Sequence, residues 1–224
     1  MINYTLTRSK RKTVALYVRD GSVEVRAPQW LPKDDIERFV KSKESWVADR
    51  LARQHEQLIR REAFVLNYGS AVPFRGEECV ITEKTGTRAG FEDNIFYMPP
   101  GLNPEQIKAI CIQIYRRLAK IYLPKRVALY SQQMGVSPSS VKVTGAKTRW
   151  GSCSAKKSIN FSWRLMMAAD DVIDYVVVHE LAHLIEMNHS PQFWEIVDNT
   201  LPHSRNKKAL LKALQQRLAA EDWS

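Results

Sequence analysis

The period of apolar and polar positions changes several times along the chain, and each change marks an element. Residues 13–28, "TVALYVRDGSVEVRAP", alternate on both sides of Asp20-Gly21. A period of two around a strong turn dipeptide predicts a β-hairpin. After Pro32 and the Asp34–Asp35 pair, Ile36, Phe39, Val40, Lys43, Trp46 and Val47 recur at helical spacing, which predicts one helix of about 25 residues. From Tyr68 to Pro100 short apolar runs are interrupted by Gly69, Gly76, Gly86 and Gly90, a pattern of short strands. Pro99-Pro100-Gly101 is the expected domain boundary.

A second long helix is predicted behind Asn103-Pro104, a capping residue followed by proline in the first turn. Ile107, Ile110, Cys111, Ile114, Tyr115, Leu118 and Ile121 would face inward, and Pro124 would kink or end the helix. Residues 137–168, "SPSSVKVTGAKTRWGSCSAKKSINFSWRLMMA", read as two or three strands separated by Gly- and Ser-rich turns. Asp170 or Asp171 is the expected cap of the next helix. Its sequence, "DDVIDYVVVHELAHLIEM", carries a valine-rich run that leans towards strand. The acidic start and the helix-favouring second half tip the reading to a helix, and one apolar on most sides belongs in a core. A last amphipathic helix is expected over about 205–219. No internal repeat or low-complexity segment interrupts the order.

Composition narrows the class. With 44% hydrophobic and 26% charged residues, the chain has the balance of a soluble globular protein. No apolar run approaches the ~20 residues of a membrane span. The opening "MINYTLTRSKRKTVALYV" lacks a signal-peptide core. Cys79, Cys111 and Cys153 are far apart with no CxxC pair, which argues against a disulfide framework and against a cysteine-type zinc site. A cytoplasmic location is expected. The net charge of +10 is uneven: +5 over residues 1–62, −2 over 63–104, +7 over 105–147 and zero over 148–224. A basic surface attracts polyanions, so nucleic acid is a candidate partner through the stretch around "YRRLAKIYLPKR". A solvated helix face accounts for the same charges.

The chemistry concentrates in residues 179–189. His179-Glu180-Leu181-Ala182-His183 is H-E-x-x-H, and residues four apart share a helix face. Two such imidazoles can converge on one zinc ion at ~2.0–2.1 Å. Glu180, rotated ~100° from His179, stands beside the metal as a general base. Zinc lowers the pKa of its water towards ~7, which makes the nucleophile available at neutral pH. Glu186 lies seven residues beyond His179, about 10.5 Å along the axis, too far to share the ion. The chain must therefore turn back. Asn188 is the expected left-handed C-cap, and His189 follows it as third ligand, with Glu195 and His203 as substitutes. Two core histidines with satisfied nitrogens would explain H-E-x-x-H alone, but not a third histidine placed behind a helix stop.

Together Arg149-Trp150-Gly151-Ser152-Cys153-Ser154, the strand Asn160–Leu165, the H-E-x-x-H helix and Asn188-His189-Ser190-x-x-Phe193-Trp194 resemble the YgjP-like metal-dependent hydrolases, a family related to SprT-like zincin peptidases. The resemblance is strongest over about 145–197 and extends loosely to "RSKRKTVALYVRDGSVEVRAP". It implies a zincin-type fold with a mixed sheet above the active-site helix. His179, His183 and His189 would bind one Zn2+ per chain, and Glu180 would be the catalytic base. SprT-like relatives include enzymes that digest proteins crosslinked to DNA. The ligand spacing equals that of metzincins, but their glycine position is Glu186 here and no methionine turn follows, so metzincin membership is excluded. An edge strand in zincins pairs with extended substrate, and Ile159–Arg164 is the expected strand. Trp150, Gly151, Asn160 and Ser162 are the expected substrate contacts. Phe193 and Trp194 are expected to pack beneath the metal helix and hold His189. Arg149, Tyr175, His203 and Arg205 are candidates for polarising the scissile carbonyl.

The expectation is thus an α+β protein: a β-rich part over 1–101 with a β-hairpin and one long helix, and a zincin-like catalytic part over 102–224 with the H-E-x-x-H helix under a small mixed sheet. The expected function is zinc-dependent hydrolysis of a polypeptide substrate, without a membrane. The alternatives are hydrolysis of another amide or ester, and nucleic-acid binding with structural zinc. A fourth protein ligand would mark zinc as structural, whereas a catalytic site holds water there.

Overall fold

A computed structural model describes residues 2–202 and 204–223, with the backbone alone at Arg205. The chain forms two compact units: residues up to Phe64 together with 219–222, and Val65–Leu218 together with Trp223. Pro99-Pro100-Gly101 lies within the second unit, between a strand and a helix. The described residues form small mixed sheets and six α-helices.

The first unit begins with β1 (Thr5–Ser9), β2 (Ala15–Arg19) and β3 (Ser22–Pro28). The hairpin forms where the alternation placed it, with Arg19 opposite Ser22. Asp20 and Gly21 both adopt positive φ, 47° and 72°, as the tight two-residue turn requires. β1 adds in parallel to the other side of β3. The expected single helix is two: α1 (Lys33–Ser42) and α2 (Glu44–Glu62). At Lys43 the backbone leaves helical geometry (φ −109°, ψ 10°), and its N–H reaches back only three residues, to Val40 O at 3.0 Å. The apolar spacing runs on across the break because both helices bury against one sheet. Val25, Ala27, Ile36 and Val40 form one cluster, and Val18, Val23 and Val47 another.

The second unit opens with β4 (Ala71–Phe74), β5 (Glu77–Glu83), β6 (Gly90–Glu92) and β7 (Ile95–Met98), in the order β4-β5-β7-β6. α3 (Pro104–Met134) follows, with an Asn103/Gln106 capping box at its start. Pro124 does not end it. The helix runs on to Gly135, and its buried stripe passes through Ile107, Cys111, Tyr115, Ala119, Leu123 and Val127. Those steps of four leave Ile121 exposed, although it was expected inside. Phe74, Phe96, Tyr115, Trp163 and Trp223 then knit the sheet to α3 through ring contacts at 5.1–6.3 Å.

β8 (Ser140–Thr144), β9 (Gly151–Cys153) and β10 (Ser158–Ser162) make the third sheet, in the order β8-β10-β9. The strand expected to offer a free edge is therefore central: β10 pairs in parallel with β8 and antiparallel with β9. The edges belong to β8 and to β9, and the three residues of β9 are too short to show alternation. After Ser162 the chain tightens into a 3-10 turn, Trp163–Met167, rather than extending.

α4 (Asp170–Ala182) is buried along almost its whole length. Ala169, not Asp170 or Asp171, occupies its N-cap, and the two acids sit in the first turn, where the helix dipole favours them. Asp170 accepts from Arg75 and from the Tyr122 hydroxyl. Asp174 accepts from Arg126 at 2.5 and 2.6 Å and from Tyr130 at 3.0 Å. These bonds, from α3 and from Arg75 between β4 and β5, fix the axial position of α4, and with it everything α4 carries. Asp174→Ala is expected to destabilise the protein by about 2 kcal/mol, below the range for a fully buried pair because Arg126 is partly exposed. Urea unfolding measures this, and a change within error of zero would mean that packing alone places the helix. α5 (Pro191–Thr200) and α6 (Lys207–Ala220) complete the chain.

Candidate metal centre

α4 releases its chain early. Its last helical residue is Ala182, and His183 already serves as C-cap. The expected left-handed Asn188 does not occur, since no residue from 183 to 189 has positive φ. Instead Glu186 shapes the return. Its carbonyl lies 3.2 Å from His183 Nδ1, and its carboxylate accepts the Asn188 N–H at 3.1 Å. The first bond turns His183 Nε2 away from the backbone, and the second tightens the loop that delivers His189. Ser190 then caps α5 by accepting from the Phe193 N–H at 3.3 Å.

The result is that His179, His183 and His189 each bring a ring nitrogen into one group, all within 4.8 Å of one another. His179 Nε2 and His189 Nε2 are 3.1 Å apart. Two nitrogens on a tetrahedral zinc ion would stand about 3.3 Å apart, so the pair is spaced for a shared cation. Phe193, fully buried, packs its ring 4.6–4.9 Å from all three imidazoles. Trp194 stacks on His189 at 5.7 Å. His179 Nδ1 is buried with no hydrogen-bond partner among the described residues, so packing against Phe193 and Tyr175 sets that ring. Burial, then the neighbouring rings and Lys208, push His179 down to about 4. An imidazole neutral at physiological pH offers its lone pair without first losing a proton. Among the described residues Glu195 does not join the group, and His203 lies outside them.

Glu180 stands beside this triad, 6% exposed. Burial pushes its carboxyl up to about 7, opposed by the charge of Arg149, and a bound cation would lower it again. Gly151 of β9 explains how the carboxylate fits. A Cβ there would lie 2.6 Å from both Glu180 Cγ and Oε1, closer than atoms can pack. Gly151→Ala is therefore expected to displace the Glu180 carboxylate while leaving the three imidazoles in place. A structure of the variant with the carboxylate unmoved would show that Glu180 needs no such clearance.

A cleft of about 700 Å³ opens on these residues, lined by Trp150, Gly151, Tyr175, His179, Glu180, His189 and Trp194 and by the α6 face that carries Lys208 to Gln216. Of the expected substrate contacts, Trp150 and Gly151 line it. Asn160 is half-buried, its amide 3.5 Å from Ser152 Oγ, and Ser162 is buried and donates to Ala146 O. Tyr175 lines the cleft and Arg149 reaches it only through the effect of its charge on Glu180; His203 and the Arg205 side chain are outside the described residues. The role of α6 as a cleft wall was not legible in its sequence, because an amphipathic pattern does not tell which polar face meets a cavity.

The YgjP-like family model, described as a metallopeptidase domain, matches residues 12–214. Among solved structures, the metallopeptidase zymogen of Pyrococcus abyssi abylysin is 21% identical at a TM-score of 0.38, covering 44% of this chain and 97% of its own. The zymogen of Methanocaldococcus jannaschii jannalysin is 19% identical at 0.37, covering 42% and 96%. A comparison with curated proteins finds no match.

Proposed function

The chain belongs to the YgjP-like family of metallopeptidases, and from that premise we propose that it cleaves peptide bonds with zinc held by His179, His183 and His189 and with Glu180 as general base. It is a hydrolase whose family requires a metal. The observation that carries it is the convergence of three imidazole nitrogens beside one buried carboxylate at the floor of an open cleft.

An all-imidazole donor set suits zinc better than magnesium or calcium, which take oxygen ligands. When bound, zinc acts as a Lewis acid that polarises a carbonyl and acidifies water. The protein's own groups do the rest. Glu180, which lines the same cleft as His179 and His189, accepts a proton from the attacking water and passes it to the leaving amine. Phe193 and Trp194 shield and orient the imidazoles. Tyr175, one helical turn before His179, is placed to donate to the developing oxyanion. β9, short and unpaired on its outer side, offers an edge to an extended chain. The helix with its H-E-x-x-H face, the small mixed sheet and the third histidine together compose a zincin-like arrangement.

No helix among the described residues is long and apolar enough to cross a membrane. The exposed Arg116, Arg117, Lys120 and Lys125 of α3 give nucleic acid a surface to meet, and nothing in the site depends on it. The test is digestion of an unfolded protein by zinc-loaded enzyme. Cleavage is expected, lost with chelator and restored by zinc. Hydrolysis of small amides or esters without any of a polypeptide would overturn the peptidase reading.

A further inference from the structure

α6 contributes more than a wall. Lys208 and Lys212 are four residues apart, so they lie one above the other on the same helix face, and both line the cleft. Both are exposed, and neither makes an ion pair among the described residues. Their neighbours on α6 behave otherwise: Lys207 is bound to Asp171 and Arg217 to Glu78. The charges that hold the helix in place are thus distinct from the two left facing the cavity. Leu211, buried between them, anchors that face against the protein. The lining contains one carboxylate, Glu180, which is committed to the reacting centre. Lys208 is close enough to His179 for its charge to bear on that imidazole, and Lys212 continues the same cleft wall one turn further on.

We infer that Lys208 and Lys212 form a subsite for carboxylate side chains, and that this enzyme prefers peptides with aspartate or glutamate close to the cleaved bond. The inference rests on the peptidase reading and adds the substrate class. An acidic residue laid along α6 meets two mobile ammonium groups and no competing acid. A basic residue there is repelled by the lysines and by the metal. Gln215 and Gln216 extend the same wall with groups that hydrogen-bond to backbone of any sequence, so the lysines carry the selectivity. Each partly solvated ion pair changes an equilibrium by up to about five-fold, and two acting together give a preference of about ten-fold. Such a preference weakens as salt rises.

The experiment uses the full-length, zinc-loaded protein and matched unstructured peptides that differ only in Asp or Asn near a single cleavable bond. The Asp peptide is expected to show about ten-fold higher kcat/KM at low salt, and the ratio should fall towards one in Lys208→Gln/Lys212→Gln and below one in Lys208→Glu/Lys212→Glu. A second measurement is independent of turnover: binding of the same peptides to Glu180→Gln, followed by fluorescence anisotropy, should rank them in the same order. Cleavage of both peptides at equal rates, or a preference untouched by the lysine substitutions, overturns the inference and leaves the peptidase intact. No cleavage of any peptide overturns both. Tight binding of a short DNA duplex through these lysines, with no discrimination between the peptides, would assign the face to nucleic acid instead.

Discussion

Glu180→Gln will retain zinc and lose peptide cleavage by about a thousand-fold or more, the range that a positioned general base commands. The substitution is nearly isosteric, so the close fit against Gly151 is preserved and no cavity opens. The amide can still hydrogen-bond, but it cannot accept a proton from water. Both kcat and kcat/KM should fall together, because the lost interaction belongs to the transition state and not to substrate binding. Parallel metal analysis separates this result from simple loss of the ion. A Gln variant with wild-type turnover would mean that some other group moves the proton, and would remove Glu180 from the mechanism.

His189→Ala is expected to weaken zinc binding by more than about 100-fold, since removing even an outer partner of a ligand costs 10- to 100-fold and this deletes a donor. The position is informative because His189 is the member of the triad that lies beyond α4 and its C-cap His183. It arrives on a loop held by Glu186 and Ser190, so it can be removed without disturbing the helix. The fold should survive, as Phe193 and Val197 still bury the first turns of α5. Competition with a chromophoric chelator gives the affinity directly. Unchanged affinity would move the third ligand elsewhere on the chain.

How legible this was in the sequence depended on how local the signal is. The hairpin turn was readable because Asp20-Gly21 needs two left-handed residues, a demand met within the dipeptide itself. The α3 start was readable for the same reason, a capping Asn103 followed directly by Pro104 in the first turn. The histidine group was readable because helix geometry fixes which residues share a face. What escaped was set by distant partners. The break at Lys43 has no Gly or Pro to announce it. The end of α4 at Ala182 came six residues before Asn188, because Glu186 turns the chain without any left-handed residue. Register made β10 a central strand although its composition suits an edge. Gly151 stood out in the sequence, but its clearance for Glu180 exists only once β9 lies beside α4. Lys208 and Lys212 looked like any other lysines of a solvated helix.

In the proposed function, three imidazoles and one carboxylate make a zinc-dependent catalytic site. Elemental analysis of tag-free protein, purified without chelator and set beside His183→Ala, tests it most directly. Close to one zinc per chain is expected in the first and almost none in the second. No zinc in either, even after the metal is offered back, would leave His179, His183 and His189 as three packed histidines and contradict the account at its root.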